Sequence, residues 1–222
     1  FTNNNENFAN VTFVIVDGKL EITKRSVTLT SADDEKVYKE DDPDFEDAEI
    51  SAYIGEELGG IDLSVSRTNE DEDVDVYEDV LTIGQTAAQL NALYTNYSFT
   101  VDNGDFEIKA ASAGDLGLTA TLYNNVYDGQ PHSITAGATV TEGTTLYYST
   151  VDPESEGFEE SNWSTTAPTW TNVTTAQTVY VKAENSNYNT AYASATVTIT
   201  PKPVTVTANA ITKEYDGTGA TI

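Results

Sequence analysis

The sequence predicts a mainly β protein, organised as tandem repeat domains in an elongated array. The first observation behind this is a turn written three times: KVYKEDDP (Lys36–Pro43), NVYDGQPH (Asn125–His132) and KEYDGTGA (Lys213–Ala220). Their tyrosines, Tyr38, Tyr127 and Tyr215, stand 89 and 88 residues apart, and a fixed interval of this kind marks repeated structural units. The second is a set of runs in which apolar and polar residues alternate with period two, the pattern of a half-buried strand. The third is composition: 13 tyrosines, with Thr and Val recurring in those runs, belong to a folded β protein and not to a disordered acidic tail.

Taken in order, NVTFVIVDGKLEITKR (Asn10–Arg25) reads as two alternating runs joined at Asp17-Gly18. SVTLTSA (Ser26–Ala32) opens the next unit, and YSFTVDNGDFEIKA (Tyr97–Ala110) ends it, with Asn103-Gly104 at the place of Asp17-Gly18. Both dipeptides accept positive φ at low cost, so both are expected to be hairpin turns. Between these runs, TAAQLNAL (Thr86–Leu93) is rich in Ala and Leu, and Thr86 with Gln89 forms a capping box. It reads as a helix of about two turns that needs a sheet behind it, the alternative being an irregular crossover. LGLTATL (Leu116–Leu122) opens the following unit and AYASATVTITPK (Ala191–Lys202) closes it. In PVTVTANA (Pro203–Ala210), Val204, Val206 and Ala208 again share one face. The expected division is therefore 1–24, the last strands of one repeat; 25–110, a complete acidic repeat; 111–202, a second complete repeat; and 203–222, the start of another.

Composition narrows the function. With no cysteine there is no disulfide framework and no thiolate metal site, and a single histidine, His132, leaves His-based triads little to build on. The absence of methionine, even at position 1, leads to the expectation that this is a segment of something larger. No apolar run approaches the roughly 18 residues of a membrane helix, so direct membrane insertion is not expected. A net charge of −27, from 37 acidic and 10 basic residues, repels nucleic acid and anionic lipid. The charge is uneven: residues 25–110 hold 23 acids and 5 bases, and residues 111–202 hold 9 and 2.

The run NYNTAYASATVTITPKPVTVTANAITKEYDGTGA (Asn187–Ala220) resembles the junction between consecutive mostly-beta-grasp (MBG) repeats of large bacterial surface and secreted proteins. The likeness lies in N-Y-N before the last strand, T-I-T-P-K at the boundary, V-T-V-T-A as the next first strand, and K-x-Y-D-G-T. YDGQPHSITAG, LYYSTVD, WSTTAPTW and VYVKAENSNYN fit the same pattern, whereas Lys39-Glu40 stand where Asp-Gly is expected after Tyr38. The resemblance implies β-grasp-like or sandwich-like domains in an extracellular protein, cell-surface, wall-associated or secreted. The repeats would be spacer or adhesin modules without enzymatic activity or cofactor, and their first partners would be neighbouring repeats of the same chain.

Four candidate features remain. The turn residues Tyr38, Tyr127, Asp128, Gly129, Tyr215, Asp216 and Gly217 recur with each unit and read as structural closures rather than ligand contacts. Asp71, Asp73 and Asp75 alternate within NEDEDVDVYED, so on a strand their carboxylates would share one face. Such a set suits Ca²⁺, against a solvated acidic face as the plainer reading. Trp163 and Trp170, with Tyr147 and Tyr148, would make a face for glycan or for a host surface protein if exposed, and core if not. A Lys–Asn isopeptide crosslink through Lys109 or Lys182 is a further chemistry open to a cysteine-free chain, with exposed lysines the plainer reading.

Overall fold

Alternation becomes strand where a neighbouring strand takes up the backbone hydrogen bonds. A computed structural model describes residues 6, 7, 12, 14, 16–51 and 57–218. They form two compact units: residues up to Lys36 with Asp41–Asp71 and Asp75–Glu107, and Val37–Glu40 with Glu72–Val74 and Ile108 onward. The chain is mainly β.

The first half of the chain contributes β1 (Arg25–Thr30), β2 (Asp34–Val37), β3 (Glu49–Ile50), β4 (Val65–Arg67), β5 (Asp75–Ile83), α1 (Ala87–Leu93), β6 (Tyr97–Asp102) and β7 (Gly104–Lys109). One sheet has the order β3-β1-β6, with β6 parallel to β1 and β3 antiparallel. The other has the order β2-β7-β5-β4. Val27 and Leu29 of β1, Tyr97 and Phe99 of β6, Ile83 of β5 and Leu90 of α1 share one core.

The expected helix forms. Thr86 accepts the Gln89 amide and Gln89 returns a bond to the Thr86 backbone, so both halves of the capping box are present. Helix α1 is too short to persist by itself, and two contacts hold it. Leu90 is fully buried, and Asn91 takes the edge of β6, accepting from Phe99 N at 2.8 Å. A parallel neighbour such as β6 requires a crossover, and α1 is part of it.

Asn103-Gly104 does not close a hairpin, because β6 and β7 lie in different sheets. The dipeptide carries the chain from one sheet to the other, and Gly104 does not have positive φ. Its glycine is required by close approach, since a Cβ there would sit 2.7 Å from the Ala32 carbonyl carbon. Around Asp17-Gly18, residues 16–24 form no strand, and Leu20 and Ile22 are 87% and 89% exposed. Much of the expected run before them lies outside the described residues. Residues 203–210 also form no strand, leaving Val204 and Val206 exposed. Both stretches have the alternation, but no described strand pairs with them.

The second half contributes β8 (Thr119–Thr121), β9 (Tyr123–Val126), β10 (Thr135–Gly137), β11 (Thr145–Ser149), β12 (Thr174–Asn185) and β13 (Tyr188–Thr200). The expected run Leu116–Leu122 is shorter than its alternation suggests. It begins in a 3₁₀ turn, Ala113–Leu116, ended by Gly117 at φ +62°, and only Thr119–Thr121 pair. The main sheet has the order β11-β12-β13-β9, antiparallel except for the parallel pair β13/β9. A two-stranded sheet, β10-β8, accompanies it. Val179, Val181, Val197 and Ile199 pack with Ile134 beneath the main sheet.

Thr86→Ala is expected to lower stability by about 1 kcal/mol through loss of the cap. Gly104→Ala is expected to lower it by about 2–3 kcal/mol, because the new methyl meets backbone and not a yielding side chain. Urea denaturation of the two variants checks both values and their order.

Candidate functional site

Strand β12 fixes the geometry of the candidate site. Its inward residues Val179, Val181 and Ala183 are fully buried, so Tyr180, Lys182 and Glu184 project from the opposite face. Tyr147 lies opposite Lys182, and Lys182 opposite Tyr192, giving one row across three strands; Ser149, Tyr180 and Ser194 form the next. The segment after β11 folds back over this outer face. Ser164 pairs with Tyr148 at the free edge of β11, at 2.7 and 2.9 Å, and the 3₁₀ turn Glu160–Asn162 precedes Trp163.

The result is a lysine enclosed by rings and carboxylates. Lys182 is 4% exposed, with its Nζ 5.0 Å from the Tyr147 ring centre and 5.2 Å from that of Trp163. It donates to Glu160 and lies 2.9 Å from Glu184. Burial works to lower the Lys182 pKa, but hydrogen bonds to Glu160 and Glu184 outweigh it and the net shift is upward. Phe158 meets Trp163 edge to face at 5.5 Å, and Tyr192, 64% exposed, lies 6.3 Å from the Trp163 ring.

The four aromatics expected to act together are therefore divided. Tyr147 and Trp163 belong to the outer face, while Tyr148 and Trp170 pack on the core below. Tyr147 and Tyr148 are consecutive on β11, and successive strand residues point to opposite faces. Tyr180 and Tyr192 are further outer-face residues; for Tyr180 the signal in the sequence was its alternation with Val179 and Val181, whereas the place of Tyr192 opposite Lys182 is set by strand pairing. Lys182 faces carboxylates and not an Asn, so this geometry offers no isopeptide partner there.

Asp71, Asp73 and Asp75 do not converge. Only Asp75 is on a strand; Asp71 accepts from Asn69, Asp73 from Asn187 at 2.8 Å, and Asp75 from Val76 N. No group of three or more His, Cys, Asp or Glu among the described residues is placed to hold a metal ion. Elsewhere in the acidic half, Asp42 joins Lys36 at 2.8 Å and Arg67 at 3.1 Å, and the Arg67 guanidinium lies over Phe106.

Two of the three tyrosine turns share one backbone bond. Tyr38 N donates to Lys109 O at 2.8 Å, and Tyr127 N donates to Thr200 O at 2.9 Å, in each case reaching the last residue of a strand, β7 and β13. Lys39 has φ +72°, so the chain after Tyr38 reaches the left-handed region without Gly, one position earlier than Gly129 at +82° and Gly217 at +78°. Asp128 accepts from Gln130 N and lies 2.8 Å from His132 Nε2, and these bonds, His132 first, lower its pKa. Asp216 is lowered to about 2 by Thr218 and then Lys213. Tyr38 meets Tyr188 edge to face at 5.4 Å, whereas Tyr215 is 95% exposed.

No family model matches the chain, and no curated protein matches it. Among solved structures, a similar one is titled Sidekick-1 immunoglobulin domains 1-4, crystal form 1, at 14% identity and a TM-score of 0.22. The match covers 46% of this chain and 29% of that one. A likeness at that level carries no functional argument.

Lys182→Met is expected to cost about 1–2 kcal/mol, from two cation–π contacts and two partly solvated ion pairs. A raised lysine pKa stabilises fully below the ordinary lysine value and loses that contribution as pH rises through the raised one. The stability gap between parent and variant should thus stay flat from about pH 6 to about pH 9 and close only above the ordinary lysine range. Chemical denaturation across that series measures it.

Proposed function

We propose that the chain consists of non-catalytic β modules that act as spacers in a large extracellular protein, secreted or displayed at a cell surface. The observation that carries this reading is a repeated bond: two tyrosine turns, 89 residues apart, each donate the tyrosine amide to the last residue of a strand. The resemblance to MBG junction sequences points to the same role and to an extracellular setting. No helix among the described residues is long and apolar enough to cross a membrane.

The reading extends to the last part of the chain. KPVTVT (Lys202–Thr207) stands 177 residues after RSVTLT (Arg25–Thr30), the same offset that separates Tyr215 from Tyr38. Val204 and Val206 therefore correspond to Val27 and Leu29, each 1% exposed in β1, yet are themselves 82% and 89% exposed. Lys202–Thr218 thus corresponds in sequence to the opening of the first unit, without the strand pairing that β1 has there.

A chimera in which residues 42–110 follow Thr218 supplies the pairing strands in register. The Tyr215, Val204 and Val206 amides are expected to exchange freely in the parent and to gain at least about a hundredfold protection from hydrogen exchange in the chimera. Exchange as fast as in the parent would overturn the modular reading.

The alternative, a glycan- or host-protein-binding face, is served by Tyr147, Trp163 and Tyr192 but not by Tyr148 or Trp170. A glycan array probed with the whole chain should be blank under the spacer reading. Binding abolished by Trp163→Ala, in a variant whose near-ultraviolet dichroism otherwise keeps its parent form, would favour the alternative.

A further inference from the structure

Beside the Lys182 cluster, the outer face of the same sheet carries a second constellation of the same composition. A cavity of about 360 Å³ is bordered by Tyr180, Tyr192, Asp152, Pro153, Glu154 and Ser194. Tyr180 forms its half-buried wall and Tyr192, 64% exposed, its open one. Asp152 is held in place by accepting from Glu154 N at 2.9 Å. Burial first, then Asp152 and Glu154, hold the Tyr180 phenol above its ordinary pKa, in keeping with their shared place around the cavity.

The comparison with Lys182 is direct. There, two aromatic rings and two carboxylates surround a cation supplied by the chain itself. Two more aromatic rings have taken up lysine in the same unit, since Lys39 Nζ lies 5.3 Å from the Tyr188 ring centre and 5.6 Å from that of Tyr38. The cavity has two rings and two carboxylates, and among the described residues neither Asp152 nor Glu154 has a Lys or Arg partner. Ring faces and carboxylates both favour a positive group, and a planar guanidinium can stack on one while bonding to the other. The net charge of −27 draws basic segments toward the chain at long range.

We propose that this cavity binds a basic side chain, arginine above all, presented by a peptide or protein segment. The guanidinium lies against Tyr192 and Tyr180 and donates to Asp152 and Glu154. A neutral sugar would gain the rings but not the charge. The inference is independent of the spacer reading, because it concerns a surface that closure of the modules does not use.

The test is a titration of the whole ¹⁵N-labelled chain with N-acetyl-arginine methylamide, followed through the amides of Tyr192, Ala193 and Ser194. N-acetyl-citrulline methylamide, equal in shape but uncharged, and methyl glucoside are titrated in parallel. Arginine is expected to shift these amides in a saturable way, with citrulline and glucoside at least about tenfold weaker. The double variant Asp152→Asn, Glu154→Gln and the single variant Tyr192→Ala should each weaken arginine binding at least about fivefold. Glu46→Gln with Glu78→Gln removes the same charge from other exposed positions and should leave it unchanged. Near-ultraviolet dichroism shows that each variant keeps its fold. Equal binding of citrulline or glucoside, an equal loss in the Glu46/Glu78 control, or no saturable shift with arginine overturns the proposal. Any of these outcomes leaves the hydrogen-exchange result for the chimera untouched.

Discussion

The structure depends on one backbone bond made twice, from the amide of a turn tyrosine to the carbonyl ending a strand. Tyr38 N to Lys109 O and Tyr127 N to Thr200 O are each separated by more than seventy residues of chain. Such a bond forms only after the intervening chain has been ordered, so its loop-closure cost is met by the cores packed beneath the strands. The parallel pairs β1/β6 and β13/β9 belong to the same constraint. A parallel neighbour cannot be reached by a tight turn, and the crossover segments exist to satisfy that requirement.

Two local features follow. Helix α1 has no independent stability at seven residues, and it persists because Leu90 is needed in the core and Asn91 at the edge of β6. Gly104 is small because two sheets meet the chain at Ala32, leaving no room for a side chain. In both places the residue type follows from a distant neighbour.

The outer face of β12 follows another logic. Once Val179, Val181 and Ala183 are committed to the core, Tyr180, Lys182 and Glu184 must face away from it. A lysine covered by Trp163 and Tyr147 loses hydration, and the two carboxylates restore the favourable surroundings of its charge. In the acidic half, Asp42 does the same for Lys36 and Arg67. Carboxylates in this chain thus serve two purposes, solvation of a surface and neutralisation of buried cations, and the sequence run alone does not distinguish them.

By itself the sequence determined the strand alternation, the interval between tyrosine turns, and the capping box at Thr86 and Gln89. All three are written in neighbouring residues or in a repeated pattern. The division of Tyr147 from Tyr148 was equally legible, since period two forbids consecutive residues a common face. Tertiary structure decided what alternation leaves open: which runs find a partner and which, like Val204 and Val206, stay exposed. It also decided that Asn103-Gly104 joins two sheets, that Asp71, Asp73 and Asp75 disperse, and that Trp163 and Trp170 part. Each of these depends on which strand lies beside which, and pairing is set by contacts between residues far apart in the chain.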